Sequence, residues 1–300
     1  MPQLREKLCS LKEAAGLIED GARIALGGFS VHNHPMAFIY ELIRQGVKGL
    51  TIVGITNGND VDILVGAGCV KRVETSYVGL EQFGLAPNFR RAVERGEIEV
   101  VEYGEDIAHE RFSSSVRGEP FFPTYELYGS DIPKYNKDIK EGINPLNGRK
   151  YQAIPAAEPE WVVVHAPMGD KYGNVLYFPN RQNPTNIDIE MTRSSEKVIV
   201  TVEQIIPRSH VMRFPHLNVV PRYRTTAIAE APYGAHPSSL IQMYIQDVEH
   251  LEMYAKVGRN PRAFKEYLDK YAYGPKTHTD YLKLIGVERL MKLRVVGGAL

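Results

Sequence analysis

From residue 11 to about residue 120 the chain repeats one unit: a short apolar run, a loop of Gly, Asn or Asp, then a stretch with helical spacing. That alternation points to a mostly parallel sheet covered by helices, because parallel neighbours need a crossover and a helix usually supplies it. Ser10 with Glu13 three residues on forms a capping box, and Leu11, Ala14, Ala15 and Ile18 make the apolar face of the helix it opens. Residues 24–26 read as a buried strand that runs into Gly27 and Gly28. Pro35 then suits the first turn of a helix, Met36, Phe38, Ile39, Leu42 and Ile43 recur at helical spacing, and Gly46 stops it. Further strands are predicted at 50–53, 71–78 and 98–101, with Val73, Thr75 and Tyr77 on one face of the second. Helices are predicted at 61–65, 88–95 and 107–116.

The second half is less regular. Residues 129–150 turn polar and read as a surface excursion. Residues 161–165 form a core strand, 170–174 the turn of a hairpin closed by 175–178, and 197–202 and 227–230 two more strands. From 247 to 300 the pattern is helical. No internal repeat and no low-complexity segment interrupts the chain.

Composition narrows the function. The 300 residues allow one large domain or two small ones, and 43% are hydrophobic, enough for a real core. Lys plus Arg and Asp plus Glu both number 36, so the net charge is zero. A nucleic-acid binder or an anionic-membrane binder normally carries a basic excess, so both are set aside. Cys9 and Cys69 make no disulfide framework, and no Cys/His cluster or HExxH suggests a metal. No apolar run approaches a membrane span, and residues 2–7 lack an apolar signal core. The expected location is cytoplasmic.

In open sheets of this kind ligands sit beyond the carboxyl ends of the strands. Three loops occupy such places, at 27–33, 56–60 and 104–106. Paired glycines after a strand let backbone approach a ligand, and a loop before a helix start offers N–H groups to an oxygen anion. The candidate substrate- and oxyanion-binding residues are therefore Gly27, Gly28, Phe29, Ser30 and Asn33, with Asn57 and Gly58 from the second loop. His32, Asn33 and His34 either meet a polar ligand group or lie in a solvated loop. Glu203, at the end of a core strand, is a nucleophile or base, or only pairs locally. Glu105, the candidate catalytic residue of the third loop, is a base beside Asp106, while Asp106 either tunes it or caps the next helix. His236 is a base or a histidine bonded into a turn. Ser113, Ser114 and Ser115 lack a GxSxG elbow and read as helix surface.

These loops together resemble the alpha subunit of the glutaconate-type family I CoA-transferases. The likeness rests on GARIALGGFSVHNHPMAF at 21–38, HAPMGDKYGNV at 165–175, TVEQII at 201–206, APYGAHPS at 231–238 and GVERLMKLRVV at 286–296. It implies a single three-layer α/β/α domain over 1–300 and a cytoplasmic hetero-oligomer with its active site between alpha and beta subunits. Coenzyme A enters as an acyl-CoA substrate, no cofactor is held permanently, and a carboxylic acid accepts the CoA. The nucleophile that attacks the thioester is a glutamate of the beta subunit, and an acyl anhydride and then a glutamyl-CoA thioester follow. This chain would shape the acyl pocket and supply N–H groups near Gly28 and Phe29 to the oxyanion. A related branch hydrolyses carbocyclic acyl-CoA rings and carries its own alpha-subunit glutamate where the transferases have glutamine; this sequence has Glu105 there. The fold family also includes ligand-sensing domains, but these usually follow a DNA-binding helix-turn-helix for which residues 1–20 are too short.

Overall fold

The computed structural model of the protein describes residues 4–179, 181 and 183–295. Its centre is seven parallel strands: β1 Arg23–Leu26, β2 Leu50–Val53, β3 Val70–Thr75, β4 Glu99–Glu102, β5 Trp161–Gly169, β6 Lys197–Ile205 and β7 Thr225–Glu230. They lie in the order β4-β3-β2-β1-β5-β6-β7. The chain thus winds outward on one side of β1, returns, and winds outward on the other, starting with Ile24 opposite Trp161. Val175–Leu176 and Asn218–Val220 extend the sheet antiparallel from the far end of β5.

Side chains alternate across each strand, so each face of the sheet gains its own core. Ile24, Leu26, Ile52, Val73, Val163 and Ile199 join one core with the helices Met36–Gln45, Asn59–Gly66, Val248–Gly258 and Pro261–Leu268. Ala25, Val53, Val162, Val164, Val198 and Val200 join the other with Glu105–Arg117 and Thr185–Met191. This is the expected three-layer α/β/α arrangement. The helix at Leu11–Ala15 has its capping box formed by Ser10 and Glu13, and Gly46 ends Met36–Gln45 in a left-handed conformation at φ 74°.

Three expectations change. The predicted strand at 71–78 ends at Thr75; Tyr77–Val78 leaves the main sheet and pairs with Thr56–Asn57 instead. The excursion at 129–150 carries a strand that the sequence reading does not include: Lys140–Ile143 pairs antiparallel with Lys150–Pro155, which also pairs with Phe121–Thr124. Ser114 is buried, although Ser113 and Ser115 keep partial exposure. The first helix of the C-terminal part, Val248–Gly258, has Asp247 as its N-cap; residues 296–300, including Val296 of the tail motif, lie outside the described residues.

At the carboxyl end of β3 one buried carboxylate gathers three arginines. Glu74 accepts from Arg23 at 2.6 and 2.8 Å, from Arg72 at 2.9 Å and from Arg111 at 2.7 Å. Burial pushes the carboxyl up, but the Arg23 and Arg111 charges and hydrogen bonds outweigh it and hold the group at about 2 instead of 4.5. A depressed carboxyl stabilises the fold above its unfolded value, and that stability is lost as pH falls toward the folded value. Glu74→Gln should therefore cost about 3 kcal/mol at neutral pH, because it strands buried Arg111. It should also flatten the fall in stability between about pH 4.5 and 2. Urea titrations across that range check both; an unchanged slope would show that Glu74 is not the group responsible.

Candidate active site at the switch point of the sheet

The order of the strands reverses between β1 and β5, and the crevice beyond their carboxyl ends is where such sheets bind ligands. The loops after β1, β2, β3 and β7 meet there backbone to backbone. Ser30 N–H donates to Thr56 O (3.0 Å), Gly79 N–H to Asn57 O (3.1 Å), Asn33 N–H to Ser239 O (2.7 Å) and Ala37 N–H to Gly234 O (2.8 Å). Such close contact explains the glycines. A Cβ on Gly58 would lie 1.7 Å from Ser30 O, and one on Gly28, whose φ is +100°, would lie 2.3 Å from His34 Nδ1.

The 27–34 loop is held from within. Gly28 N–H donates to Asp188 Oδ1 at 2.6 Å, and Phe29 N–H to His32 O at 2.9 Å. The two amides expected to face an oxyanion thus have intrachain acceptors in this structure. Asn33 Nδ2 donates to Asp188 Oδ2 at 3.1 Å. His34 is buried, not solvated, with Nδ1 2.8 Å from Gly27 O and Nε2 2.8 Å from Ser30 O. Asp60 Oδ2 also lies close to the ring, 3.3 Å from Nδ1. Asp60 itself accepts from Gly58 N–H (2.6 Å) and from Asn57 Nδ2 (3.0 Å), which ties the second loop to the first.

Burial drives the Asp188 carboxyl up to about 7, and the Gly28 N–H, the Asn33 amide and the nearby His34 draw it back only in part. Sequence reading passed over Asp188 and Asp60. The signal in Thr185–Met191 is an acid set between Ile187 and Ile189 in a short helix joining two core strands, where a buried carboxylate needs donors from elsewhere.

On the β6 side Glu203 accepts from Tyr233 N–H (2.7 Å), Gly234 N–H (3.2 Å), Tyr244 Oη (2.7 Å) and His165 Nε2 (2.7 Å). Burial raises its carboxyl, but the bonds from His165, Tyr233 and Tyr244 outweigh that and hold it below the usual range. Glu203 is thus the fastener of the 231–238 loop. His236 is bonded into its turn, with Nδ1 2.7 Å from Tyr281 Oη and Nε2 2.9 Å from Asp247 Oδ2. His236, Asp247 and His250 stand close enough together to hold a metal ion. Arg289 instead grips Asp247 through both carboxylate oxygens, at 2.5 and 2.6 Å, and fills the place of a cation.

The rim of the crevice is more open. His32 bonds Ser239 Oγ at 2.7 Å and points Nε2 toward Glu81, 3.8 Å away. Ser30, Asn33, Glu81, Tyr233 and Gln242 in these loops have positive φ; among the described non-glycine residues only Glu158 outside them shares it. Backbone strain of this kind gathers at functional sites. Glu105 is the first residue of Glu105–Arg117, exposed at the carboxyl end of β4, with Asp106 beside it in the first helical turn. Three strands separate β4 from β5, so Glu105 lies toward one end of the row of loops and Glu203 toward the other.

Fold and site together define an open α/β protein with a loop-lined crevice at the switch point of its sheet. Residues 9–231 match the Coenzyme A transferase family, and the chain belongs to it. It is 29% identical to the A subunit of glutaconate CoA-transferase from Acidaminococcus fermentans, over 97% of this chain and 96% of that one. The crystal structure of the Acidaminococcus enzyme matches with a TM-score of 0.90, again over 97% and 96% of the two chains. The IpdA subunit of the cholesterol ring-cleaving hydrolase of Rhodococcus jostii is 28% identical over 91% of this chain and 94% of that one. An uncharacterized protein of Archaeoglobus fulgidus is 37% identical over 97% of this chain, which spans 65% of that protein's length. No helix among the described residues is long and apolar enough to cross a membrane.

Proposed function

We propose that the chain is the alpha subunit of a two-subunit CoA-transferase that moves CoA from an acyl-CoA to a carboxylic acid. The observation that carries this reading is the state of the carboxylates in the crevice. A nucleophile must be free to attack, yet Asp60, Asp188 and Glu203 are each engaged by two or more donors. The attacking glutamate therefore comes from the beta subunit, while this chain contributes the wall of the acyl pocket. The glycine loop at 27–30, with Asn33, Asn57 and Gly58 behind it, borders the thioester. For the Gly28 or Phe29 N–H to serve an oxyanion, its present acceptor must yield to the ligand. Likeness over nearly the whole length to the Acidaminococcus protein supports the same assignment.

Glu105 favours a second reading, ring-opening hydrolysis of an acyl-CoA with this side chain as general base. Among the described residues nothing engages its exposed carboxylate, and a hydrolase is among the relatives. The experiment is to mix the reconstituted complex with acyl-CoA, with and without a carboxylate acceptor, in wild type and Glu105→Gln. We expect acceptor-dependent transfer in both, with the variant within roughly tenfold, because the nucleophile lies in the partner. A base is worth ~10²–10⁴-fold. A cyclic acyl-CoA opened without acceptor to a product that gains a carboxylate and keeps its CoA, a conversion lost to that extent in the variant, would replace the transferase reading with the hydrolase.

A further inference from the structure

The 27–34 loop owes its shape to a residue that the chemistry proposed above does not use. Asp188 reaches it from Thr185–Met191, the helix that crosses from β5 to β6. Its two oxygens take separate ends of the loop: Oδ1 the N–H of Gly28 at 2.6 Å, Oδ2 the side-chain amide of Asn33 at 3.1 Å. Gly27 makes room for it, since a Cβ there would lie 2.7 Å from Asp188 Oδ1 and 2.9 Å from Val164. Asn33 passes the hold onward, its Oδ1 accepting from Ile241 N–H at 3.0 Å and its N–H donating to Ser239 O at 2.7 Å. One carboxylate thus ties the loops after β1 and β7 to the crossover helix between β5 and β6, at the switch point.

We infer that Asp188 is a positioning residue: its carboxylate fixes both ends of the 28–33 loop and so sets the backbone that borders the acyl-CoA. This rests on the transferase reading for the identity of the ligand, but not for the clamp itself. The geometry is selective for a carboxylate. Both groups that meet Asp188 are donors, so both of its oxygens must accept. Asp188→Asn keeps the shape and one acceptor but turns an NH₂ toward the NH₂ of Asn33. Asn33 cannot rotate to relieve this without losing Ile241 N–H. The exchange Asp188→Asn/Asn33→Asp places a donor opposite an acceptor again, and the relocated carboxylate still accepts from Ile241.

Three titratable groups face the clamp: His34 from the loop, Asp60 behind it on Asn59–Gly66, and Tyr177 from the segment after β5. The buried Tyr177 hydroxyl has no hydrogen-bond partner among the described residues. Protonating Asp188 weakens its hold on both donors, so the loop should loosen on the acid side of about pH 7.

The test uses the reconstituted complex and follows both acceptor-dependent transfer and acceptor-independent ring opening of a cyclic acyl-CoA. We expect Asp188→Asn to lower kcat by about 10²-fold with KM within about threefold, as a displaced site does. The double exchange should recover kcat to within about tenfold of wild type. A single variant within about threefold of wild type, or a double exchange no better than the single, overturns the inference. Should the single variant not fold, amide exchange on the wild-type complex decides: protection of Gly28 N–H, corrected for intrinsic rates, should fall as pH is lowered through about 7. Protection unchanged between about pH 8 and 6 overturns the clamp. That readout needs no turnover, so it is separate from a failure of the transferase reading, which would appear as ring opening of a cyclic acyl-CoA without an acceptor.

Discussion

Purified without its partner, the chain should turn over no acyl-CoA, by transfer or by hydrolysis. Removing the nucleophile from an enzyme that forms a covalent intermediate typically costs about 10⁶-fold, and the proposed function assigns the attacking group to the other subunit. The crevice holds three buried carboxylates, but each is engaged in shaping the loops. Gly58 N–H and Asn57 occupy Asp60, Gly28 N–H and Asn33 occupy Asp188, and four donors surround Glu203. Attack by Glu203 would strip a buried carboxylate of its bonds, a cost of several kcal/mol before any chemistry begins. The measurement is acyl-CoA consumption by the single chain, then by the chain mixed with its beta partner. Turnover by the single chain equal to that of the mixture would end the two-subunit reading.

Gly58→Ala should be the most damaging small substitution in the site. The added carbon would lie 1.7 Å from Ser30 O, 2.7 Å from Ser30 C and 3.0 Å from Gly79 O. Backbone, unlike a side-chain tip, cannot swing aside, and moving it breaks the Ser30–Thr56 and Gly79–Asn57 bonds. A loss of about 4 kcal/mol or more follows, from overpacking together with broken buried hydrogen bonds. Gly104→Ala is the control. Its Cβ would meet only Ile107 Cγ1, at an ordinary 3.7 Å, so the change should stay within about 1 kcal/mol. Urea midpoints of the two variants give the comparison, with Gly58→Ala lower by about 1 M or more. Similar midpoints would mean that the loops slide apart at little cost.

The strands and helices that build the crevice were legible because each obeys its own period. Ile24–Leu26 is uniformly apolar and Leu50–Val53 is apolar but for Thr51, as suits strands buried on both faces, and Met36–Gln45 has a helical stripe and a glycine stop. Lys140–Ile143 was missed because it is exposed and polar, without the alternation that marks a half-buried strand. The true end of β5 at Gly169 was hidden by Pro167, which argues against a strand by propensity but is tolerated here. Within the site the glycines could be picked out, and their neighbours could not. His34 read as loop because nothing local shows that Gly27 O and Ser30 O close around it. Asp188 lies 160 residues from the amide it holds, a pairing set only by the return of the chain to the other side of β1.

That return also sets a timetable for the newly made protein. β1 and its neighbours β2, β3 and β4 leave the ribosome long before Trp161, the first residue of β5. Through that interval the open flank of β1 exposes unpaired N–H and C=O groups beside Ala25, an arrangement that invites pairing with another chain. Closure then joins segments far apart in sequence, which is slow because the connecting chain must first be ordered. The crevice is thus among the last parts to mature, since Gly27 N–H finds Val163 O only when β5 docks. A chain cut short before 161 would keep four of the seven parallel strands and an adhesive edge, and would gather into aggregates where the full chain closes on itself.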